Sequence, residues 1–373
     1  MKICIVLPSL GGGGAERLHV NLIKEWLLDG HDAELVILAS SDQNNVLQDI
    51  VPVNCKVTFL GTSRIRSSLF TLTKYFFKNK YDVVLAAMWP ITIITVIASL
   101  ISSFKNRPKI FVSEHTMLSV SRSHELNVSE YAIRITSNIF YRFVNGIIAV
   151  SGGVKDDISN MCNIRKEKIS VIHNPAAIGI KKPTKDKIEA FASEFWKKDI
   201  HYKLLAVGTL KQQKGFDILI NAFNLFPEEI KKNCQLIILG EGPERKNLED
   251  QIDKLNLKNF ISLPGFQIDP YPWFFSADLF VLSSRWEGFG NVIVEALEAG
   301  VTVVSTDCKS GPAEILENGR HGYLVASEDS EGLATSIVHA LEHKFSEKDL
   351  INRASEYSAA SVSKKYLEYF RRN

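Results

Sequence analysis

The 373-residue sequence lacks the paired cysteines of a disulfide framework or a zinc site. Its five cysteines are odd in number and widely spaced, and none belongs to a Cys-x-x-Cys pair. This usage predicts a reducing, cytoplasmic setting. We also expect no signal peptide, because the apolar run Ile3–Leu7 breaks directly into glycine and predicts a buried strand instead.

A large net charge is missing as well. The 44 Lys and Arg residues nearly balance the 42 Asp and Glu residues, so the net charge is +2 and a dedicated nucleic-acid-binding protein is excluded. The hydrophobic fraction of 45% and the charged fraction of 23% exclude a disordered chain. Residues 1–175 carry +5 and residues 176–373 carry −3, which favours contact of the first half with an anionic surface.

No apolar run is both long and unbroken. Residues 83–104 contain no charge, yet Pro90 divides them into a strand near Val83–Ala87 and an apolar helix over Ile91–Phe104. An apolar helix of this kind is either deeply buried or in contact with lipid, so a membrane span remains the alternative interpretation.

Short apolar strands alternate with helical sequence throughout, which predicts parallel sheets with helices on both faces. The series reaches a last short strand at Gly146–Val150 and restarts at Tyr202–Val207 after a lysine-rich linker. We therefore predict two Rossmann-like, doubly wound α/β domains, at 1–176 and 177–355, with a C-terminal helix at about 356–373 that packs back on the first. Ligands of such sheets bind at the carboxyl ends of the strands, so the sequence predicts a site in a cleft between the domains.

The first strand runs into a glycine loop, Gly11-Gly12-Gly13-Gly14-Ala15-Glu16-Arg17. Glycine lets the backbone approach a ligand closely, and the following helix offers free N–H groups to an anion. The loop matches neither the dinucleotide-binding fingerprint nor the phosphate-binding loop of nucleotide triphosphatases. A flexible turn without a ligand is the alternative.

Two further loops follow strands in the second half. Glu287-Gly288-Phe289-Gly290-Asn291 precedes a helix that contains Glu295, so two carboxylates flank amides that can bind a diphosphate. The segment Gly208-Thr209…Lys214-Gly215 places Lys214 at the start of another helix, where its ammonium group can neutralise phosphate. A solvated surface lysine is the alternative there.

Together these loops resemble the retaining, nucleotide-sugar-dependent glycosyltransferases of family 4, whose fold is called GT-B. The similarity extends over essentially the whole chain and includes GGAER, Ser113-Glu114-His115, VIHNP, GEGPER, LPGF and EGFGNVIVEAL. The resemblance implies that Glu287 contacts the donor sugar, that Glu295 binds the ribose, and that Lys214 binds the diphosphate. It implies catalytic roles for Glu287, His115 and Lys214. The implied donor-binding residues are Gly14, Thr209, Lys214, Arg245, Gly265, Phe266, Glu287, Gly288, Phe289, Gly290, Asn291 and Glu295.

One position departs from the family pattern. Thr209 stands where an arginine commonly supplies a second cation, so Lys214, backbone amides, Lys211 or Arg245 must compensate for the phosphate charge. We find no convincing Asp-x-Asp metal site, and the resemblance implies neither a metal nor a cofactor. The leaving diphosphate is expected to act as base towards the acceptor hydroxyl. A covalent glycosyl-enzyme at Glu287 remains the rival mechanism.

The resemblance implies transfer of a sugar, with UDP-sugar as the expected donor, to a glycan or polyprenyl-linked acceptor in surface polysaccharide or glycoconjugate biosynthesis. A sugar-nucleotide epimerase of the same fold and a non-catalytic binding module are the alternatives. No nucleic acid and no obligate protein partner are expected. The basic, aromatic segment Lys74–Lys80, with Arg64 and Arg66, predicts peripheral contact with an anionic membrane, at the inner face of the cytoplasmic membrane. A solvated helix with its aromatic residues in the core is the alternative.

Overall fold

The computed structural model describes residues 1–11, 13–41, 46–62, 65–102, 107–121 and 130–373, and at residues 65, 66, 121 and 130 the backbone alone. The described residues form two compact units. The first unit comprises Met1–Pro175 and Ala359–Asn373, and the second comprises Ala176–Ser358.

The first unit contains a parallel sheet with the strand order β3-β2-β1-β4-β5-β6-β7. Its strands are β1 (Lys2–Leu7), β2 (Asp32–Ile37), β3 (Lys56–Phe59), β4 (Val83–Ala87), β5 (Lys109–Glu114), β6 (Gly146–Ala149) and β7 (Ile169–Val171). The helices within Met1–Pro175 are α1 (Gly14–Leu28), α2 (Ile65–Lys78), α3 (Ile91–Ser102), α4 (Leu118–Ser121), α5 (Glu130–Phe140) and α6 (Gly152–Cys162).

Strand β1 shows why this sheet has helices on both faces. Its side chains alternate, so that Ile3, Ile5 and Leu7 belong to one buried cluster and Cys4 and Val6 to another. The first cluster includes residues of α1, and the second includes residues of α2 and α3. A strand covered on both faces reads as a continuous apolar run, which is the pattern of Ile3–Leu7.

The second unit contains a parallel sheet with the strand order β10-β9-β8-β11-β12-β13. Its strands are β8 (Tyr202–Val207), β9 (Cys234–Leu239), β10 (Ile261–Gly265), β11 (Leu279–Leu282), β12 (Thr302–Thr306) and β13 (Tyr323–Val325). Its helices are α7 (Lys185–Phe195), α8 (Phe216–Asn224), α9 (Glu228–Lys232), α10 (Arg245–Lys254), α11 (Tyr271–Ser276), α12 (Asn291–Glu298), α13 (Pro312–Ile315), α14 (Ser330–Glu342) and α15 (Glu347–Ser355).

The last helix, α16 (Ala359–Arg372), belongs to the first unit although it follows the second in sequence. Its Phe370 ring lies 4.5 Å from the ring of Phe111 in β5 and 5.7 Å from that of Trp26 in α1. All three side chains are almost fully buried. Loss of one such aromatic side chain costs about 3–5 kcal/mol of stability, so α16 is an integral part of the first core.

The predicted α/β class with two doubly wound sheets is confirmed. The prediction that Gly146–Val150 is the last strand of the first series is wrong, because β7 follows and pairs with β6. The uncharged run is divided as predicted, into β4 and α3, while residues 103 and 104 lie outside the described ranges. Among the helices of the described ranges, none is long and apolar enough to cross a membrane.

Candidate active site

The second sheet changes its winding direction between two neighbouring strands. Strand β8 pairs with β9 on one side and with β11 on the other. The loops that leave the carboxyl ends of β8 and β11 therefore diverge, and the space they enclose is where ligands bind in doubly wound sheets. These two loops are the glycine-containing segments with Lys214 and Glu287 that the sequence analysis selected.

Hydrogen bonds join the two loops directly. The backbone N–H of Arg285 donates to the carbonyl oxygen of Gln213 at 2.8 Å, and the Gln213 side-chain amide donates to the carbonyl oxygen of Trp286 at 3.0 Å. The hydroxyl of Ser283 donates to the carbonyl oxygen of Lys214 at 2.9 Å. We call this set of contacts the loop junction. It fixes the backbone of Lys214 against the segment that leads to Glu287.

The side chain of Arg285 adds a charged clamp to the loop junction. Its guanidinium group donates to both carboxylate oxygens of Asp217, at 2.8 and 2.7 Å, and to the carbonyl oxygen of Gln212 at 2.8 Å. A further bond reaches Glu328 at 2.6 Å. Two-point pairing of this kind fixes geometry more strictly than a single charge contact does. Arg285 and Asp217 therefore hold the turn before α8 against the loop after β11.

The two side chains selected for catalysis contact each other. The ammonium nitrogen of Lys214 lies 2.6 Å from Oε1 of Glu287, and the hydroxyl of Ser284 donates to the same oxygen at 2.7 Å. The side chains are only 17% and 7% exposed, so this ion pair is screened less than a surface pair. Removing one member would leave the other charged and buried, which typically costs about 3–5 kcal/mol.

Glycine is required at Gly215, next to this ion pair, and a side chain at Gly208 would crowd Lys214. Gly215 has φ +61°, and a Cβ atom there would lie 2.1 Å from the carbonyl oxygen of Ser283. At Gly208, a Cβ atom would lie 3.3 Å from the aliphatic chain of Lys214. From the sequence, Lys214 is predicted to lie at the start of a helix. It lies instead in a short 3₁₀ turn, Gln212–Lys214, directly before α8.

The loop from Glu287 to Gly290 is buried and leads into α12. The hydroxyl of Ser310 donates to the carbonyl oxygen of Gly288 at 2.9 Å. Gly311, with φ +96°, packs so closely on Phe289 that a Cβ atom would lie 1.8 Å from the Phe289 carbonyl oxygen. Contacts with Ser310 and Gly311 therefore hold this loop in place. Asn291 forms the first residue of α12, and Glu295 lies about one turn inside the helix, partly exposed.

The remaining candidates of the second unit lie at the ends of β8, β9 and β10. Thr209 is exposed directly after β8. Arg245 pairs with Glu241 at 2.6 Å and with Glu249 at 2.9 Å, and donates to the carbonyl oxygen of Leu263 at 3.2 Å. These two carboxylates neutralise much of the positive charge of Arg245, which was predicted to compensate for the phosphate charge. A Cβ atom added to Gly265 would lie 3.9 Å from a terminal guanidinium nitrogen of Arg245. The neighbouring Phe266 is 61% exposed.

In the first unit, Gly14 begins α1 and His115 follows β5, while Gly12 lies outside the described ranges. His115 is buried, and burial together with the nearby His19 lowers its pKa well below the usual range, although Asn174 acts in the opposite direction. A neutral imidazole is therefore the form at physiological pH.

The residue before His115 is Glu114, and its carboxyl group is buried. Burial raises the pKa of Glu114 to about 7, although hydrogen bonds from Tyr141, the Trp89 backbone and Thr92 oppose this shift. Tyr141 and Thr92 are themselves buried. The carboxyl group thus joins the loop after β4, helix α3 and the turn after α5 behind the end of β5.

Within the described parts of the chain, no group of three or more His, Cys, Asp and Glu side chains is arranged to hold a metal ion. Sequence reasoning missed three contributors to the site, namely Ser283, Ser284 and Arg285. They lie between the end of the buried strand β11 and Trp286, the residue before Glu287, and this position after a buried strand is the sequence signal that could have selected them.

Two family models match the chain side by side. One, described as glycosyl transferases group 1, matches residues 187–357, and the other, described as glycosyltransferase family 4, matches residues 12–177. Together they cover most of both units. The chain belongs to this family of glycosyltransferases, as the resemblance predicted.

Relatives and solved structures agree with this assignment. The chain is 27% identical over 99% of both chains to the N-acetylgalactosamine-N,N'-diacetylbacillosaminyl-diphospho-undecaprenol 4-alpha-N-acetylgalactosaminyltransferase of Campylobacter jejuni. It is 28% identical to an uncharacterized glycosyltransferase of Methanocaldococcus jannaschii, over 81% of this chain and 71% of that one. HepE of Anabaena, solved with UDP-glucose, is 23% identical over the full length of both chains with a TM-score of 0.83. That likeness shows the GT-B fold.

The clamp by Arg285 generates the first prediction. Replacing Arg285 by Lys keeps the charge but removes the two-point pairing with Asp217, so Lys214 and Glu287 should lose their fixed geometry. We expect kcat/KM for the donor to fall by about tenfold or more, since small displacements of catalytic groups are costly. Steady-state kinetics with varied donor measures this.

Arg320→Lys is the matched control, because Arg320 is exposed and pairs only with Glu317 among the described ion pairs. It should leave kcat/KM unchanged. If Arg285→Lys also stays within twofold of the wild type, the clamp does not position the site.

Proposed function

We propose that this chain is a retaining, metal-independent glycosyltransferase that transfers a sugar from a UDP-sugar to a glycan or polyprenyl-linked acceptor. The observation that carries the proposal is the convergence of Lys214 and Glu287, 2.6 Å apart, at the point where the second sheet changes direction. A cation and a carboxylate side by side suit a ligand with a diphosphate next to a sugar, because the first binds phosphate and the second accepts hydrogen bonds from hydroxyls.

In this proposal Lys214 binds the diphosphate together with the amides of the Gly288–Asn291 loop, and Glu295 binds the ribose. The start of α12 supplies partial positive charge at the end of this loop. The same groups stabilise the negative charge that develops on the leaving diphosphate, which is the task a metal ion performs in other enzymes. The paired Arg245, next to Gly265, and the exposed Phe266 are the candidates for contact with the base.

The choice of UDP and of the acceptor class rests on relatives. HepE of Anabaena was solved with UDP and with UDP-glucose. The Campylobacter jejuni relative is named for transfer to a diphospho-undecaprenol substrate, and a Bacillus subtilis relative is named a poly(glycerol-phosphate) alpha-glucosyltransferase. We extend the nucleotide and the polyprenyl or glycan acceptor to this chain as parts of the proposal.

The experiment that tests the function is a transfer assay. Purified protein is screened with UDP-, GDP- and ADP-sugars, with and without polyprenyl-diphosphate-linked glycans, and the products are identified by mass spectrometry and by the anomeric proton coupling in NMR. A UDP-sugar should be consumed only with acceptor, and the new linkage should keep the donor configuration. Conversion of the donor without acceptor would support the epimerase instead, and an inverted linkage would overturn the retaining mechanism.

The second prediction separates the two carboxylates. Glu287→Gln removes the charge beside Lys214, and we expect kcat to fall by about 100-fold, as on loss of a preorganised electrostatic group. Glu295→Ala should mainly raise the KM for the donor, by roughly tenfold, because contact with the ribose is the same in the ground state and the transition state. Steady-state kinetics with varied donor distinguishes the two. Full turnover by Glu287→Gln at saturating donor would contradict its assignment.

The third prediction concerns metal. Because Lys214 and backbone amides carry the phosphate charge in this proposal, turnover should stay within about twofold of its starting value after dialysis against EDTA. The rate is measured before and after chelation, and after addition of Mn²⁺ or Mg²⁺. Loss on chelation with recovery on adding either ion would show that a metal takes part.

We further propose that the first unit binds an anionic membrane peripherally, through helix α2. Lys74, Lys78 and Lys80 are exposed, and so are Phe70 (78%) and Phe77 (57%), while Phe76 lies in the core. The aromatic residues are therefore divided between the surface and the interior. Arg64 lies outside the described residues, and the side chain of Arg66 is not described.

A second helix of the first unit also exposes apolar and basic side chains. Helix α3 packs against both α2 and α5, and α5 exposes Tyr131, Ile135 and Ile139 at a spacing of four residues. Arg134 is exposed on the same helix. Apolar side chains among basic residues suit the interface of an anionic bilayer.

The fourth prediction tests this surface with vesicles. We expect reversible sedimentation with vesicles that contain phosphatidylglycerol, weaker at high salt, at about 1 kcal/mol per well-placed lysine. Changing Lys74, Lys78 and Lys80 to Ser should weaken it. Changing the exposed Lys246, Lys254 and Lys258 to Ser removes the same charge from the second unit and should leave binding intact. Protein that stays in the supernatant at low salt would refute the proposal.

A further inference from the structure

Three polar side chains inside the first unit are connected in series by hydrogen-bond contacts. His19 of α1 and Ser113 of β5 are fully buried, and His115 is 8% exposed. The Nδ1 atom of His19 lies 2.7 Å from the carbonyl oxygen of Ala15. Its Nε2 atom lies 3.5 Å from the Ser113 hydroxyl oxygen, which lies 3.1 Å from Nε2 of His115. The chain of contacts thus runs from the first turn of α1, next to the glycine loop, to His115.

The first contact fixes the proton of His19. A carbonyl oxygen only accepts hydrogen bonds, so Nδ1 of His19 must carry a hydrogen. Burial lowers the pKa of His19 to about 4, so the ring is neutral at physiological pH and its Nε2 atom carries a lone pair. That lone pair is buried and needs a donor, and Ser113 is the group within reach.

The proton of Ser113 then determines the proton of His115. A serine hydroxyl has one hydrogen, so once it donates to His19 it accepts from its other neighbour. Nε2 of His115 therefore carries the hydrogen in the 3.1 Å contact, and Nδ1 of His115 is left with its lone pair. Asn174 also acts on this ring, but its side-chain amide can turn either a donor or an acceptor towards it. The 3.1 Å contact with Ser113 is the hydrogen bond to this ring whose two atoms are defined, so the tautomer is derived from that contact.

We propose that His19 and Ser113 are positioning residues that hold His115 as the Nε2–H tautomer, so that Nδ1 acts as a neutral hydrogen-bond acceptor. Among the described residues Nδ1 of His115 has no hydrogen-bond partner. A neutral acceptor of this kind suits a hydroxyl group, and it is unsuited to a phosphate oxygen. The choice of a sugar hydroxyl as the group that it accepts from rests on the proposed function, whereas the tautomer does not.

The test reads the tautomer directly. Two-bond ¹H–¹⁵N NMR spectra of ¹⁵N-histidine-labelled protein distinguish Nε2–H from Nδ1–H, and His115→Asn assigns the signals of His115 among the nine histidines. The wild type should show Nε2–H at His115. In His19→Phe the Ser113 hydroxyl is released to donate to His115, so the signals should shift towards Nδ1–H, whereas His19→Gln keeps an acceptor for Ser113 and should preserve the wild-type pattern.

Measurement of kcat provides a second test of the proposal. His19→Phe should lower kcat by about tenfold, and His19→Gln should restore most of it, as expected when one hydrogen bond to the reacting sugar is lost. Ser113→Ala removes the connecting hydroxyl with little change of volume and should give mixed tautomers if His19→Phe does not fold. A wild-type His115 with its proton on Nδ1, or an unchanged tautomer in both His19→Phe and Ser113→Ala, would overturn the proposal. Because the spectra need no substrate, failure of the proposed function would leave this test intact.

Discussion

The candidate site depends on the loop junction between the segments that leave β8 and β11. Lys214 and Glu287 stand 73 positions apart in the sequence, and neither lies in a regular helix or strand. The contacts of Gln213 and Ser283 and the paired charges of Arg285 and Asp217 turn two loops into one element. Fixed catalytic geometry on loops requires such support, because a loop without it samples many conformations.

The ion pair at this junction joins the ammonium group of Lys214 to the carboxylate of Glu287. A diphosphate and the carboxylate of Glu287 would compete for the same ammonium group, so donor binding in our proposal exchanges one anion for another around Lys214. The exchange leaves Glu287 with Ser284 as its hydrogen-bond donor and gives its oxygens to the sugar hydroxyls. A buried carboxylate is costly without a partner, so its pairing with Lys214 stabilises this part of the second unit.

Much of this arrangement follows from periodicity and turn chemistry. Short, mostly apolar strands such as β1 and β9, each followed by helical sequence, were sufficient to predict both sheets. Strand β7 was missed because it has only three residues and lies at the edge of its sheet, so it carries no long apolar run. The family resemblance selected Lys214 and Glu287, and their adjacency follows from the neighbouring positions of β8 and β11.

The contacts that support the site were harder to predict. Arg285 and Asp217 are ordinary charged residues in sequence, and nothing near either indicates that the loop after β11 pairs with the first turn of α8. The same is true of His19, which reads as one polar residue on the buried side of an amphipathic helix. In both cases the function of the side chain comes from a partner that is distant in sequence, and only the folded arrangement identifies that partner.

Calorimetric titration of UDP into the wild type and into Glu287→Gln tests the central claim most directly. If Lys214 must leave Glu287 in order to bind the diphosphate, removing the carboxylate charge should tighten UDP binding by roughly fivefold or more, since about 1 kcal/mol of relieved competition is a factor of about five. Lys214→Met should weaken it. Unchanged or weaker UDP binding by a folded Glu287→Gln protein would contradict the account.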